Sequence, residues 1–102
     1  MSIQIGRYSF DGPYTATDPL LDRSGVYALL DVQPTATHVV DIGESATVKT
    51  RIEGHDRKDC WKRNTSGRLQ VAVLYTLHAD QSARMQIEQE LRGQYRPPCG
   101  DR

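Results

Sequence analysis

The stretch DIGESATVKTRIEGH, residues 41–55, changes its period in the middle. Through Gly43 it finishes an apolar strand that begins at His38. From Ser45 onward, Val48, Ile52 and His55 recur at the three- and four-residue spacing of one helix face. Ser45 reads as an N-cap and Gly54 as the stop. A strand that runs directly into a helix commits the chain to a mixed architecture rather than an all-β or all-helical one.

Upstream, GVYALLDV, residues 25–32, is rich in strand formers. Period two sets Tyr27 and Leu29 on one face and Val26, Ala28 and Leu30 on the other, so both faces are expected to be covered. A turn around Pro34 then brings residues 38–42 back antiparallel. LQVAVLYTL, residues 69–77, is the clearest strand and is expected at the centre of the sheet. Near the start, Ile3 and Ile5 alternate with polar residues in one short strand, an edge or add-on closed by the turn signal Asp11-Gly12-Pro13. Residues 14–24 read as a loop or a single helical turn, and residues 57–67 as a polar loop containing Trp61. Asp80 caps a last helix to about Arg92, with Ala83, Ile87 and Leu91 at i, i+4 spacing and Gly93 as its stop; Pro97 disfavours helix at the residue before it. The expected order is β, β, β, α, β, α. It gives an α+β fold with a small, mainly antiparallel sheet, three core strands plus an N-terminal strand, flanked by helices. Residues 1–24 form a strand-and-loop extension of a domain spanning residues 25–102, one compact unit overall.

The chain of 102 residues is 37% hydrophobic and 25% charged, which suits a single domain with a thin core rather than a disordered chain. No apolar run approaches the roughly 18 residues of a membrane span, and the first ten residues lack the character of a secretory leader. A cytoplasmic protein without membrane contact is expected, with Cys60 and Cys99 as free thiols. The net charge is zero, yet residues 1–45 carry two arginines against six acids, while residues 46–68 carry seven basic residues against three acids. That middle segment suits either a phosphate-binding face or a solvated helix and loop.

GVY at residues 25–27, DIG at 41–43, Arg51-x-x-x-His55, and a glutamate helix running into YRPP resemble, in that order, the GIY-YIG nuclease superfamily over residues 25–100. The ending IEQELRGQYRPPCG is similar to that of the nuclease domain in bacterial excision repair, and the similarity sets Glu88, not Glu90, at the family's metal-binding glutamate. The resemblance implies a DNA endonuclease using one divalent ion, Mg2+ or Mn2+. Tyr27 would then be the general base or water-orienting group, Arg51 the contact to the scissile phosphate, His55 an assisting group and Glu88 the metal ligand. Phosphodiester hydrolysis demands these types independently of the family: an activated water, a proton acceptor, and positive charge on the phosphoryl oxygens. Lys49, Arg57, Lys58, Lys62 and Arg63 would supply the nucleic-acid face. An inactive relative that binds nucleic acid or a protein partner is the alternative.

Two positions depart from the family. Its second-motif tyrosine is Asp41, and its late asparagine is Gly100. Period two puts Asp41 on a face with Val39 and Gly43, where an unpaired carboxylate would be costly. Asp41 is therefore expected to hold a cation, either Arg51 or the metal, and as a metal ligand it joins the catalytic set. Trp61 stacks a base or anchors its loop. His55, Cys60, His78 and Cys99 fit no familiar zinc spacing.

Overall fold

In the computed structural model, which describes residues 1–100, the chain forms β1 (Ser2–Ile5), β2 (Tyr8–Tyr14), β3 (Gly25–Val32), β4 (Thr37–Ser45), α1 (Val48–Glu53), α2 (Lys58–Arg63), β5 (Arg68–Tyr75) and α3 (Gln81–Tyr95). The strands make one antiparallel sheet in the order β1-β2-β5-β3-β4. The α+β expectation holds, with β5 at the centre and β3 between β5 and β4. The sheet has five strands because the N-terminal segment is a hairpin rather than one strand. Gly6 turns it at φ +59, a backbone geometry open mainly to glycine. Asp11-Gly12-Pro13 is no turn. It lies inside β2, where the register with β5 shifts between Asp11 and Tyr14, and the Gly12–Pro13 peptide is cis.

Each face of the sheet is covered, as the unbroken apolar run of β3 requires. On one face Tyr27, Leu29, Val40, Val71 and Val73 pack against Val48 and Ile52 of α1 and Trp61 of α2. On the other, Val26, Ala28, Leu30, Ile42 and Ala72 pack with Ile5, Phe10 and Leu91 of α3. The hairpin is tied to α3 as well: Arg7 donates to both carboxylate oxygens of Glu90 at 2.9 and 3.0 Å, Tyr8 Oη donates to the same group at 2.8 Å, and Gly6 N donates to Tyr95 Oη at 2.7 Å. Residues 1–24 therefore complete the sheet and the core.

The helices differ from expectation at their ends. β4 runs through Gly43 to Ser45, so Ser45 is no N-cap. The cap position is Thr47, without a side-chain cap bond, and the first turn of α1 is satisfied from a distance. Asp22 accepts from Thr50 N at 2.9 Å and from Thr50 Oγ1 at 2.6 Å. The polar loop around Trp61 is a helix, α2, with Asp59 in its first turn and Lys62 and Arg63 in its last, as the helix dipole favours. Asp80 does cap α3, accepting from Ala83 N at 2.9 Å. The helix passes Gly93 to Tyr95 and ends at Arg96, in the left-handed region at φ 50. Cys60 and Cys99 are joined by a disulfide, not free, which removes both thiolates from any zinc reading and pins the C-terminal tail to α2. No helix among the described residues is long and apolar enough to cross a membrane.

Phe10 is fully buried in the α3-side cluster. Truncating it to alanine is expected to cost about 3–5 kcal/mol. Trp61 lies on the opposite face of the sheet, so urea unfolding followed by its fluorescence should shift by that full amount. An unshifted Trp61 transition would mean that the hairpin is an accessory to an independent core.

Candidate active site

Asp41 is completely buried. A bulge in β4 pairs Leu29 with Asp41 and Leu30 with Val39, leaving Val40 extra. Val39 thus packs toward the α3-side core, while Asp41 sits opposite Leu29, and the expected common face of Asp41 and Val39 is lost. The carboxylate is saturated by five donors. Oδ1 accepts from Ile42 N at 2.8 Å, Arg92 Nη2 at 2.5 Å and Arg57 Nη2 at 3.4 Å; Oδ2 accepts from Trp61 Nε1 at 2.8 Å and Arg57 Nε at 2.9 Å. The expected cation is therefore present, but it is Arg57 and Arg92, not Arg51. With every acceptor direction used, Asp41 has no room left as a ligand for an ion. Trp61 anchors α2 to this carboxylate rather than presenting a free face for a base.

Arg92 reaches Asp41 around the outer edge of β4. It also donates to Ile42 O, and to Cys99 O at 3.1 Å, while Cys99 N donates to Val40 O at 3.1 Å. The open edge of the sheet is thereby covered by one guanidinium and the tail. Gly100 is explained by the same contact. A Cβ there would come within 2.3 Å of Arg92 Nη2, and its φ is +91, so a side chain at this position would collide with the guanidinium.

Three of the expected site residues gather beside this hub. Tyr27 Oη and His55 Nε2 are 2.8 Å apart, both buried, and the His55 ring lies 4.7 Å from that of Trp61. Tyr27 arches over Gly43, where a Cβ would come within 2.3 Å of its phenol end, so the glycine of DIG is required by close approach. His55 stands beyond α1, not on it, and its Nδ1 accepts from Arg57 N at 3.0 Å. That bond sets the tautomer: the proton is on Nε2, which donates to Tyr27. Asp56 Oδ1 lies 3.2 Å from the same Nδ1, a contact that would favour a protonated ring. Burial, reinforced by Arg51 and Arg57, prevails and holds the ring near pKa 4. Burial likewise pushes the Tyr27 phenol up to about 12 against the pull of Arg51. At neutral pH the pair is a phenol accepting from a neutral imidazole. Arg51 is half-exposed, with Asp56 at 3.4 Å from its Nη2.

Glu88 stands on α3, where its contact is with Arg92 and not with Tyr27, His55 or Arg51. Its side chain is 18% exposed and Oε2 lies 3.5 Å from Arg92 Nε. Burial raises its pKa, opposed chiefly by Arg92, with Glu44 and Arg57 close enough to contribute. Glu44 itself is held by Arg84 at 2.9 Å in a buried ion pair. Glu90 is occupied by Arg7 and Tyr8, a structural role distinct from that expected of Glu88. Among the basic residues, Lys62 and Arg63 are exposed on the last turn of α2, Lys49 is half-buried on α1, Lys58 Nζ donates to Glu53 O, and Arg57 is spent on Asp41. Arg92 and Arg84 had no sequence signal beyond their places four residues after Glu88 and Asp80. Comparison with protein-family models, curated proteins and solved structures gives no match.

Asp41→Asn leaves two guanidinium groups around a neutral amide, one of them only 3% exposed. A loss of about 3–5 kcal/mol is expected in urea unfolding. For His55 the folded-state pKa lies below the ordinary 6.5, so the unfolded chain takes up the proton first as pH falls. Its contribution to stability is whole above pH 6.5 and is lost between 6.5 and about 4. NMR of the ring should show a neutral Nε2–H imidazole down to about pH 5; titration near 6.5 would contradict the burial argument.

Proposed function

We propose that the chain is a GIY-YIG-like endonuclease that hydrolyses phosphodiester bonds in DNA with one divalent ion. The observation that carries this reading is the buried Tyr27–His55 pair with the half-exposed Arg51 guanidinium beside it. Tyr27 keeps its proton at neutral pH and therefore acts as an orienter, not a base. Its oxygen accepts from His55 and from Arg51, which leaves its own O–H to align a water or a phosphoryl oxygen. Arg51 pairs with the phosphate in the bidentate manner of a guanidinium.

Fit to a metal is tested by the donors. Among the described residues no group of three or more His, Cys, Asp or Glu converges, which disfavours zinc. A single half-buried carboxylate, Glu88, suits Mg2+ or Mn2+, which keep several waters. Such an ion, when bound, supplies positive charge to the phosphoryl and leaving oxygens and acidifies a coordinated water. Lys62 and Arg63, exposed on α2, and the half-exposed Lys49 would meet flanking phosphates. A cytoplasmic location belongs to the same proposal, and the disulfide counts against it, because cytosolic thiol pools keep most cysteines reduced.

One observation favours the alternative, a catalytically inactive module that binds nucleic acid: the Glu88 carboxylate already has a cation, Arg92. The two readings part in a cleavage assay on supercoiled, linear and branched DNA with Mg2+ or Mn2+ at low salt. The nuclease reading expects cutting, its loss in Glu88→Ala, and reductions of about 10²–10³ in Arg51→Ala and about 10² or more in Tyr27→Phe. Salt-dependent binding without cutting would establish the inactive module instead.

A further inference from the structure

We propose that the cavity enclosed by β5, the loop after β2 and the short helices α1 and α2 is a binding site for a small apolar acid, a single ring or branched chain bearing one carboxylate. None of Tyr27, Arg51, His55 and Glu88 lines it, so its occupancy is independent of the nuclease reading.

The cavity follows from the lengths of the elements. β3 and β5 have eight residues each, about 26 Å of strand. α1 and α2 have six residues each, about 9 Å of helix. Two such helices leave part of this sheet face uncovered, and the loop after β2 runs along the gap. Thr17 Oγ1 donates to Glu53 Oε2 at 2.6 Å and ties that loop to α1. The enclosed volume is about 250 Å³, with Leu29, Ile52, Trp61 and Val71 as its apolar lining. Its base is one cross-strand row, because Val71 of β5 pairs with Leu29 of β3 on one side and with Tyr14 of β2 on the other. Leu29, Ile52, Trp61 and Val71 each keep 3% or 4% of their surface, whereas Val26, Ala28, Ile42 and Ala72 in the α3-side cluster keep none. Solvent therefore reaches the core on this face, and an apolar occupant that displaces it gains burial.

The polar side of the cavity sets the charge of the occupant. Lys58 and Lys62, one helical turn apart on α2, line it together with Glu53. The Glu53 carboxylate is engaged by Thr17, and Lys58 Nζ donates to the backbone oxygen of Glu53 rather than to its carboxylate. Among the described residues no carboxylate forms a salt bridge with Lys58 or Lys62. One carboxylate from the ligand supplies the missing anion while its hydrocarbon part lies on Leu29 and Val71. A sugar or a phosphate ester would set several oxygens against those side chains without donors. An amino acid would bring an ammonium group toward two like charges. The volume falls just short of the roughly 300 Å³ at which pockets for drug-sized ligands begin, which limits the occupant to about a dozen non-hydrogen atoms.

The test titrates phenylpropionate into the full chain, with its neutral amide and phenylalanine as matched controls. Binding is read from the methyl NMR signals of Leu29, Ile52 and Val71 and from the fluorescence of Trp61, the single tryptophan. Saturable shifts at those methyls are expected, with a dissociation constant of about 1 mM or tighter. The amide and phenylalanine should bind at least about fivefold more weakly, as should phenylpropionate to the surface double variant Lys58→Gln, Lys62→Gln. No saturable shift up to about 10 mM overturns the site. Equal affinity for acid and amide, or for wild type and the double variant, overturns its assignment to acids. Shifts confined to Tyr27 and His55 put the probe in the other site and overturn the proposal as well.

Discussion

Asp41 is the group on which the rest of the structure depends. A carboxylate with no solvent contact survives only when its lone pairs are filled, and here the filling comes from two distant parts of the chain: Arg57 and Trp61 at α2, and Arg92 of α3. Removing the charge would therefore unfasten two helices and the tail from the edge of β4 at once. Charged groups of this kind are poor sources of net stability compared with apolar packing, but once two cations are buried around one anion none of the three can be lost alone.

This hub also decides the chemistry next to it. The two arginines that neutralise Asp41 flank the candidate site, Arg57 beside Tyr27 and His55, Arg92 beside Glu88. Their charge helps keep His55 neutral and opposes the rise in the Glu88 pKa that burial causes. Asp41 is thus a scaffold, and the candidate site residues are arranged around it.

Much of the fold was legible because its signals were local. The alternation of residues 25–32 and 69–77 survives in β3 and β5, and Asp80 is the cap that its position announced. What went unread was decided at a distance. α2 presents a single buried residue, Trp61, too little for a periodic signal, and it is held by Asp41, twenty positions away. The first turn of α1 is capped by Asp22 instead of the adjacent Ser45. The hairpin hidden in residues 2–14 depends on Gly6 adopting a positive φ, and Gly12, which looked like the turn, is absorbed in a bulge.

By itself the sequence determined the α+β class, the central strand and the two faces of β3, because strand and helix periods are properties of short segments. Only the tertiary structure decided who neutralises Asp41, that Cys60 meets Cys99, and why residue 100 is glycine. Those are contacts between residues 8 to 51 positions apart, and their energies depend on burial and on alignment within a few tenths of an ångström, which no local pattern encodes.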